Sequence, residues 1–154
     1  MKEQTKDINR AKKLCFNLLR IRLRSEFELE QYLTKRGFDK EVIQRVKEYL
    51  VKLNLLDDFS FAKAWIESKV KRAIGKERIK YELLKKGIPK NIITKALEQT
   101  YNVKNEEEMI KELILQRMKR YSHLNKDTAK RRLWSYLLRR GFSKDIVLEL
   151  ISQQ

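Results

Sequence analysis

A single proline and four glycines leave this 154-residue chain few places to turn. Helices with short connections fit that scarcity better than a many-stranded sheet. The one cysteine, Cys15, excludes an intrachain disulfide. It falls on an apolar helical stripe, where a small buried hydrophobe is expected. The one histidine, His123, has no second His or Cys with which to share a metal, so a surface position and no metal site are expected. The chain has no G-x-x-x-x-G-K-[ST] or G-x-G-x-x-G loop to cradle phosphates. Nor does any Ser, Cys or Lys stand out beside a base as a nucleophile. The acidic pair Asp57-Asp58 opens an apolar-striped helix and reads as a cap. With no catalytic residue and no cofactor to assign, the chain reads as a binding protein and not an enzyme. No apolar run approaches the roughly 18 residues that span a bilayer. Met1 to Lys13 alternates charged and polar groups without a signal-peptide core, so a cytoplasmic protein off the membrane is expected.

Positive charge is abundant. The chain carries 37 basic and 21 acidic residues, a formal net charge of +16. Such an excess points to a polyanionic partner: nucleic acid, a nucleoprotein surface or an anionic membrane. It is evenly spread, with 14 basic and 8 acidic residues in 1–52, 11 and 6 in 53–103, and 12 and 7 in 104–154. A disordered basic tail would have concentrated it at one end.

The chain also repeats. Gly37, Gly87 and Gly141 lie 50 and 54 residues apart. Leu29, Ile79 and Leu133 precede them by eight residues, and Leu33, Leu83 and Leu137 by four. Phe38, Ile88 and Phe142 follow immediately. Self-similarity at such a period signals a repeat architecture. Two basic residues precede each glycine, which fits a helix C-terminus. Asp39, Pro89 and Ser143 then suit the start of the next helix. A longer helix precedes each pair, from about Asp7 to Leu23, from near Asp58 and from near Asn105. The expectation is an all-α chain of nine helices in three tandem three-helix modules, 1–52, 53–103 and 104–154. Stacked in file, they would make an elongated, curved helical repeat body.

Three basic runs contain no acid. They hold Arg10 to Arg24, Lys69 to Lys76, and Lys130 to Lys144. Salt bridges at i,i+4 within the runs therefore cannot be their purpose. Lys40, Lys90 and Lys144 recur three residues after each glycine, at helix starts, where a cation is mildly unfavourable. Trp65, Trp134 and Tyr136 fall on apolar stripes and read as core, whereas Tyr81 reads as exposed.

The residues resemble a known family. Arg22-Leu23-Arg24-Ser25-Glu26-Phe27-Glu28-Leu29, followed by Arg36-Gly37-Phe38, resembles the opening of the bacterial RecX family. Leu55-Leu56-Asp57-Asp58, Phe61-Ala62 and Trp65-Ile66 are similar to its middle segment, as are Gly75, Arg78-Ile79, Glu82-Leu83 and Lys86-Gly87-Ile88. Arg132, Leu137 and Arg140-Gly141-Phe142 are similar to its third repeat. The resemblance covers about residues 14–151. It implies a monomeric regulator of the RecA recombinase, mostly an inhibitor. Such a protein lodges in the groove of the RecA filament on single-stranded DNA. There it modulates ATP hydrolysis, strand exchange and co-protease action in DNA repair and the SOS response. Double-stranded DNA is a further expected partner. The family has no catalytic residues to carry over. The expected filament- or DNA-binding face is Arg22, Arg24, Lys69, Arg72, Lys76, Arg78, Lys130, Arg131, Arg139 and Arg140. These would meet either acidic RecA surface or DNA phosphate. The alternative is a stand-alone basic helical nucleic-acid-binding protein.

Overall fold

The computed structural model describes the backbone of residues 1–154 and all side chains except those of residues 103 and 104. Nine helices and no strand occur among the described residues. They are α1 (Lys2–Ile21), α2 (Glu26–Lys35), α3 (Lys40–Lys52), α4 (Asp58–Val70), α5 (Lys76–Lys85), α6 (Lys90–Thr100), α7 (Val103–Arg120), α8 (Lys126–Arg139) and α9 (Lys144–Ser152). The all-α, three-module expectation holds. The helix starts differ in detail: α1 begins at Lys2 instead of Asp7, and α7 begins at Val103, ahead of Asn105.

Each set of three helices closes its own core. Ala11, Cys15, Leu29, Leu33, Val46 and Leu50 are fully buried in the first. Ala62, Ile66, Ile79, Leu83 and Ala96 fill the second, and Ile110, Leu133, Leu137 and Val147 the third. Leu56, beyond the end of α3, packs into the first core. Met109 of α7 packs against both the second and the third, tying those modules together. Burial pushes the Cys15 thiol up to about 11, so it stays protonated and unreactive at neutral pH.

The three glycines end α2, α5 and α8 identically. Their φ values are 81°, 75° and 86°, in the left-handed region that a side chain resists. The amides of Phe38, Ile88 and Phe142 each reach back to the carbonyls of Leu33, Leu83 and Leu137. Those of Gly37, Gly87 and Gly141 donate to Thr34, Leu84 and Leu138. This pattern satisfies the last carbonyls of each helix and turns the chain sharply into the next. The 54-residue interval is explained by α8, which at 14 residues is four longer than α2 and α5. Four residues are about one extra helical turn.

Candidate polyanion face at the module junctions

The modules meet through one recurring contact. The starts of α2 and α5 sit on the glycine turns of modules two and three. Between modules one and two, the Ser25 hydroxyl donates to the Lys86 carbonyl at 2.7 Å while accepting from the Glu28 amide at 3.1 Å. The Lys86 ammonium crosses to Glu28 at 2.8 Å. Asp58, from the start of α4, accepts from the Glu26 amide at 2.9 Å and so caps a helix of the preceding module. Between modules two and three, the Gly75 amide donates to the Arg140 carbonyl at 2.8 Å, and the Glu77 amide to the Gly141 carbonyl at 2.9 Å. The Arg140 guanidinium reaches the Arg72 and Ala73 carbonyls at 2.7 and 2.8 Å.

Glu28 anchors the first junction. Burial alone would raise its carboxyl. Hydrogen bonds from Arg22, Lys86 and the Ser25 amide overcome that and hold it at about 2. An ordinary glutamate titrates near ~4.3. A lowered folded value stabilises above the unfolded value, and that stability is lost as pH falls towards 2. Between about pH 4.5 and 2, the amides of Ser25 to Glu28 therefore lose protection against exchange, relative to their intrinsic rates, ahead of the buried core amides. Glu28→Gln lowers stability at pH 7 by about 1–3 kcal/mol and removes that acid sensitivity. Equal acid sensitivity in the variant would show that Glu28 does not anchor the junction.

A second buried acid works inside module three. Glu106 is 1% exposed and accepts from the Ser143 amide at 2.9 Å and the Ser143 hydroxyl at 3.1 Å. Ser143 donates its hydroxyl there, and its side chain makes no cap bond to α9. Asp39 also occupies an N-cap position without a side-chain bond, while Asp57 caps α4 through the Phe59 and Ser60 amides as expected. Glu106→Ala should cost about 1–3 kcal/mol by leaving the Ser143 groups unpaired. Thermal unfolding followed by circular dichroism checks this, and an unchanged midpoint would remove Glu106 from the ledger of structural acids.

The second junction gathers basic residues from two distant runs. The bonds from Gly75, Glu77 and Arg140 draw Arg72, Lys76 and Arg78 of module two beside Arg139 and Arg140 of module three. These residues are not equally available. Arg140 is tied to two carbonyls and to the Tyr136 hydroxyl at 2.7 Å, so it serves the junction. Lys69 and Arg78 both pair with Glu82, at 2.7 and 3.1 Å. The Trp65 indole also donates to Glu82, at 3.1 Å. Arg22 pairs with Glu28 at 2.9 Å, and Arg24 is half-buried. Arg72, Arg131 and Arg139 are exposed, Lys76 and Lys130 half-buried, and none of the five makes an ion pair among the described residues. Arg132, in the same run, is exposed and also makes no ion pair among the described residues.

The contrast between modules is sharp. Every ion pair among the described residues lies within or between the first two modules. On α8, Ala129, Leu133 and Leu137 face the core, and Arg131, Arg132, Ser135 and Arg139 are exposed. Lys40, Lys90 and Lys144 are exposed at the starts of α3, α6 and α9 and make no ion pair among the described residues. His123 and Tyr81 are exposed. Among the described residues no cluster of His, Cys, Asp and Glu could hold a metal, and no helix is long and apolar enough to cross a membrane.

Three stacked three-helix modules, with cations that make no ion pair among the described residues where two of them join, define a helical-repeat protein with a basic face. Comparison with known proteins makes the assignment specific. Residues 11–50, 57–97 and 105–151 match the RecX first, second and third three-helix domains, so the chain belongs to the RecX family. It is 30% identical to the regulatory protein RecX of Amycolatopsis mediterranei, over 94% of this chain and 83% of that protein. With the regulatory protein RecX of Mycolicibacterium smegmatis it shares 33% identity, over 92% of this chain and 78% of that protein. The crystal structure of RecX from Lactobacillus salivarius superposes with a TM-score of 0.88 at 29% identity, covering 97% of this chain and 96% of that one.

Proposed function

We propose that this chain regulates the RecA recombinase by binding the RecA–single-stranded DNA filament along its groove, as a monomer, and lowering ATP hydrolysis, strand exchange and co-protease action. The observation that carries this reading, beside membership of the RecX family, is the set of unpaired cations at the second junction and along α8. In this reading Arg72, Lys76, Lys130, Arg131, Arg132 and Arg139 form the binding face. Lys69 and Arg78 hold Glu82 within module two, Arg22 anchors Glu28, and Arg140 fixes the junction that sets the face. A rigid junction presents the charges in one arrangement, which limits the ordering cost of binding. Free cations give charge complementarity to acidic protein surface or to phosphate, and faster encounter. The chain acts through binding and carries no catalytic step of its own.

RecA ATP hydrolysis on single-stranded DNA, titrated with this protein, tests the reading. Hydrolysis falls as the protein approaches stoichiometry with RecA. An unchanged rate at that ratio would remove RecA as the target and leave a stand-alone nucleic-acid binder.

A further inference from the structure

Two of the three glycine turns are occupied by the preceding module, and the third, at Gly37, is contacted by no other module among the described residues. At Gly87, a Cβ would meet the Phe27 side chain within 2.2 Å, and at Gly141 it would meet Arg78 within 2.3 Å. At Gly37 nothing lies within 4 Å of that position. The turn is otherwise the same, with φ at 81° and the same pair of backbone bonds from Gly37 and Phe38. Its side chains repeat as well. Tyr32 and Arg36 stand where Tyr136 and Arg140 stand in the occupied turn. Arg36 lies 4.5 Å over the Tyr32 ring, and Arg140 lies 5.3 Å over Tyr136. Arg140 also donates to carbonyls of the module in front of it. Arg36 is exposed and makes no ion pair, and among the described residues no donor reaches its carbonyl.

We infer that the Arg36–Gly37 turn is a vacant receptor for the N-terminus of a helix on an acidic partner protein. The two filled turns define what fits. In both, the residue capping the incoming helix donates to the carbonyl just before the glycine: Ser25 through its hydroxyl to Lys86, and Gly75 through its amide to Arg140. In both, the basic side chain at that position takes an oxygen from the incoming module, the Glu28 carboxylate or the Arg72 and Ala73 carbonyls. The matching occupant is a helix with a small cap residue and a carboxylate in its first turn. A net charge of +16 makes a second copy of this chain a repelling occupant and an acidic protein an attracted one. The inference does not rest on the RecA reading, because the chemistry of the turn is the same for any such helix.

The probe is a side-chain-stapled, acetylated peptide with the sequence of residues 25–35, which carries the required cap and first-turn carboxylate. It is titrated into the isotope-labelled full chain and followed by amide chemical shifts. The Lys86–Gly87 turn is closed to it, because that turn is already filled intramolecularly at high effective concentration. Shifts should centre on Arg36, Gly37 and Phe38. Arg36→Glu in the chain, or Glu28→Gln in the peptide, should weaken the binding by about tenfold, as expected for losing one charge-assisted bond. Arg36→Glu should lower stability by only about 1 kcal/mol, from the lost Tyr32 ring contact and an anion at the end of α2, since Arg36 bonds to no other module. Shifts centred elsewhere, no shifts at millimolar peptide, or insensitivity to Arg36→Glu would overturn the inference. So would concentration-dependent shifts at Arg36 to Phe38 without peptide, because a second copy would then be the occupant.

Discussion

Gly75→Ala lowers the stability of the whole chain by about 2–4 kcal/mol, from overpacking together with two lost inter-module hydrogen bonds. Gly75 caps α5 at φ −76°, a conformation open to any residue, so its backbone does not require glycine. Packing does. A Cβ there would lie 2.2 Å from the Gly141 carbonyl carbon and 2.3 Å from the Phe142 amide nitrogen. Both are backbone atoms that cannot rotate away. The substitution forces modules two and three apart and breaks the bonds from Gly75 to Arg140 and from Glu77 to Gly141. Gly37→Ala is the control. Its added Cβ meets open space, and only the positive φ is penalised, by about 1 kcal/mol. Denaturant midpoints for the two variants, with amide exchange at Glu77, read the difference. Equal losses would mean that the junction is not close-packed in solution.

Arg131→Glu, Arg132→Glu and Arg139→Glu together weaken filament binding by about a hundredfold or more, at roughly 1 kcal/mol or above for each reversed contact. All three side chains are exposed and make no ion pair among the described residues, so the stability of the triple variant stays within about 0.5 kcal/mol per site. Its binding also depends less steeply on salt, since fewer charges are neutralised. Arg140→Glu behaves differently. Its guanidinium bonds the Arg72 and Ala73 carbonyls and the Tyr136 hydroxyl, so reversal destabilises the junction by about 2–4 kcal/mol and weakens binding only through that loss. Burial raises the Tyr136 phenol, but hydrogen bonds from Arg117 and Arg140 outweigh it and lower it, which marks the strength of this contact. Folding and binding measured on both variants separate recognition from architecture. A triple variant that binds like the parent would remove α8 from the interface.

The repeat was legible because its determinants are local. A glycine at positive φ, two apolar residues one and two turns before it, and one just after it satisfy a helix end within ten residues of chain. Pro89 and Asp57 were readable for the same reason, since their roles are played by neighbours in sequence. The acids that bind across the fold were not. Asp58 resembles a first-turn acid of its own helix, yet its acceptor atom serves the Glu26 amide, 32 residues away. Glu106 stands first in the run Glu106 to Glu108 near the start of α7, where acids suit the helix dipole, yet it is buried and holds Ser143, 37 residues away. The same limit applies to the basic face. Arg139 and Arg140 are adjacent and chemically identical in the sequence, and only the position of the preceding module decides which one is free. Ser25 and Gly75 carried a faint signal, one aligned position holding a small residue in two modules, which the packing at the next glycine explains.

A regulator of RecA of this kind recognises the RecA-coated strand and not the strand alone. The most direct measurement is its affinity for fluorescent single-stranded DNA, bare and coated with RecA in the presence of a non-hydrolysed ATP analogue, at one moderate salt concentration. Binding to the coated strand should be markedly tighter, and the α8 triple charge reversal should reduce that preference. Equal or tighter binding to the bare strand would contradict it.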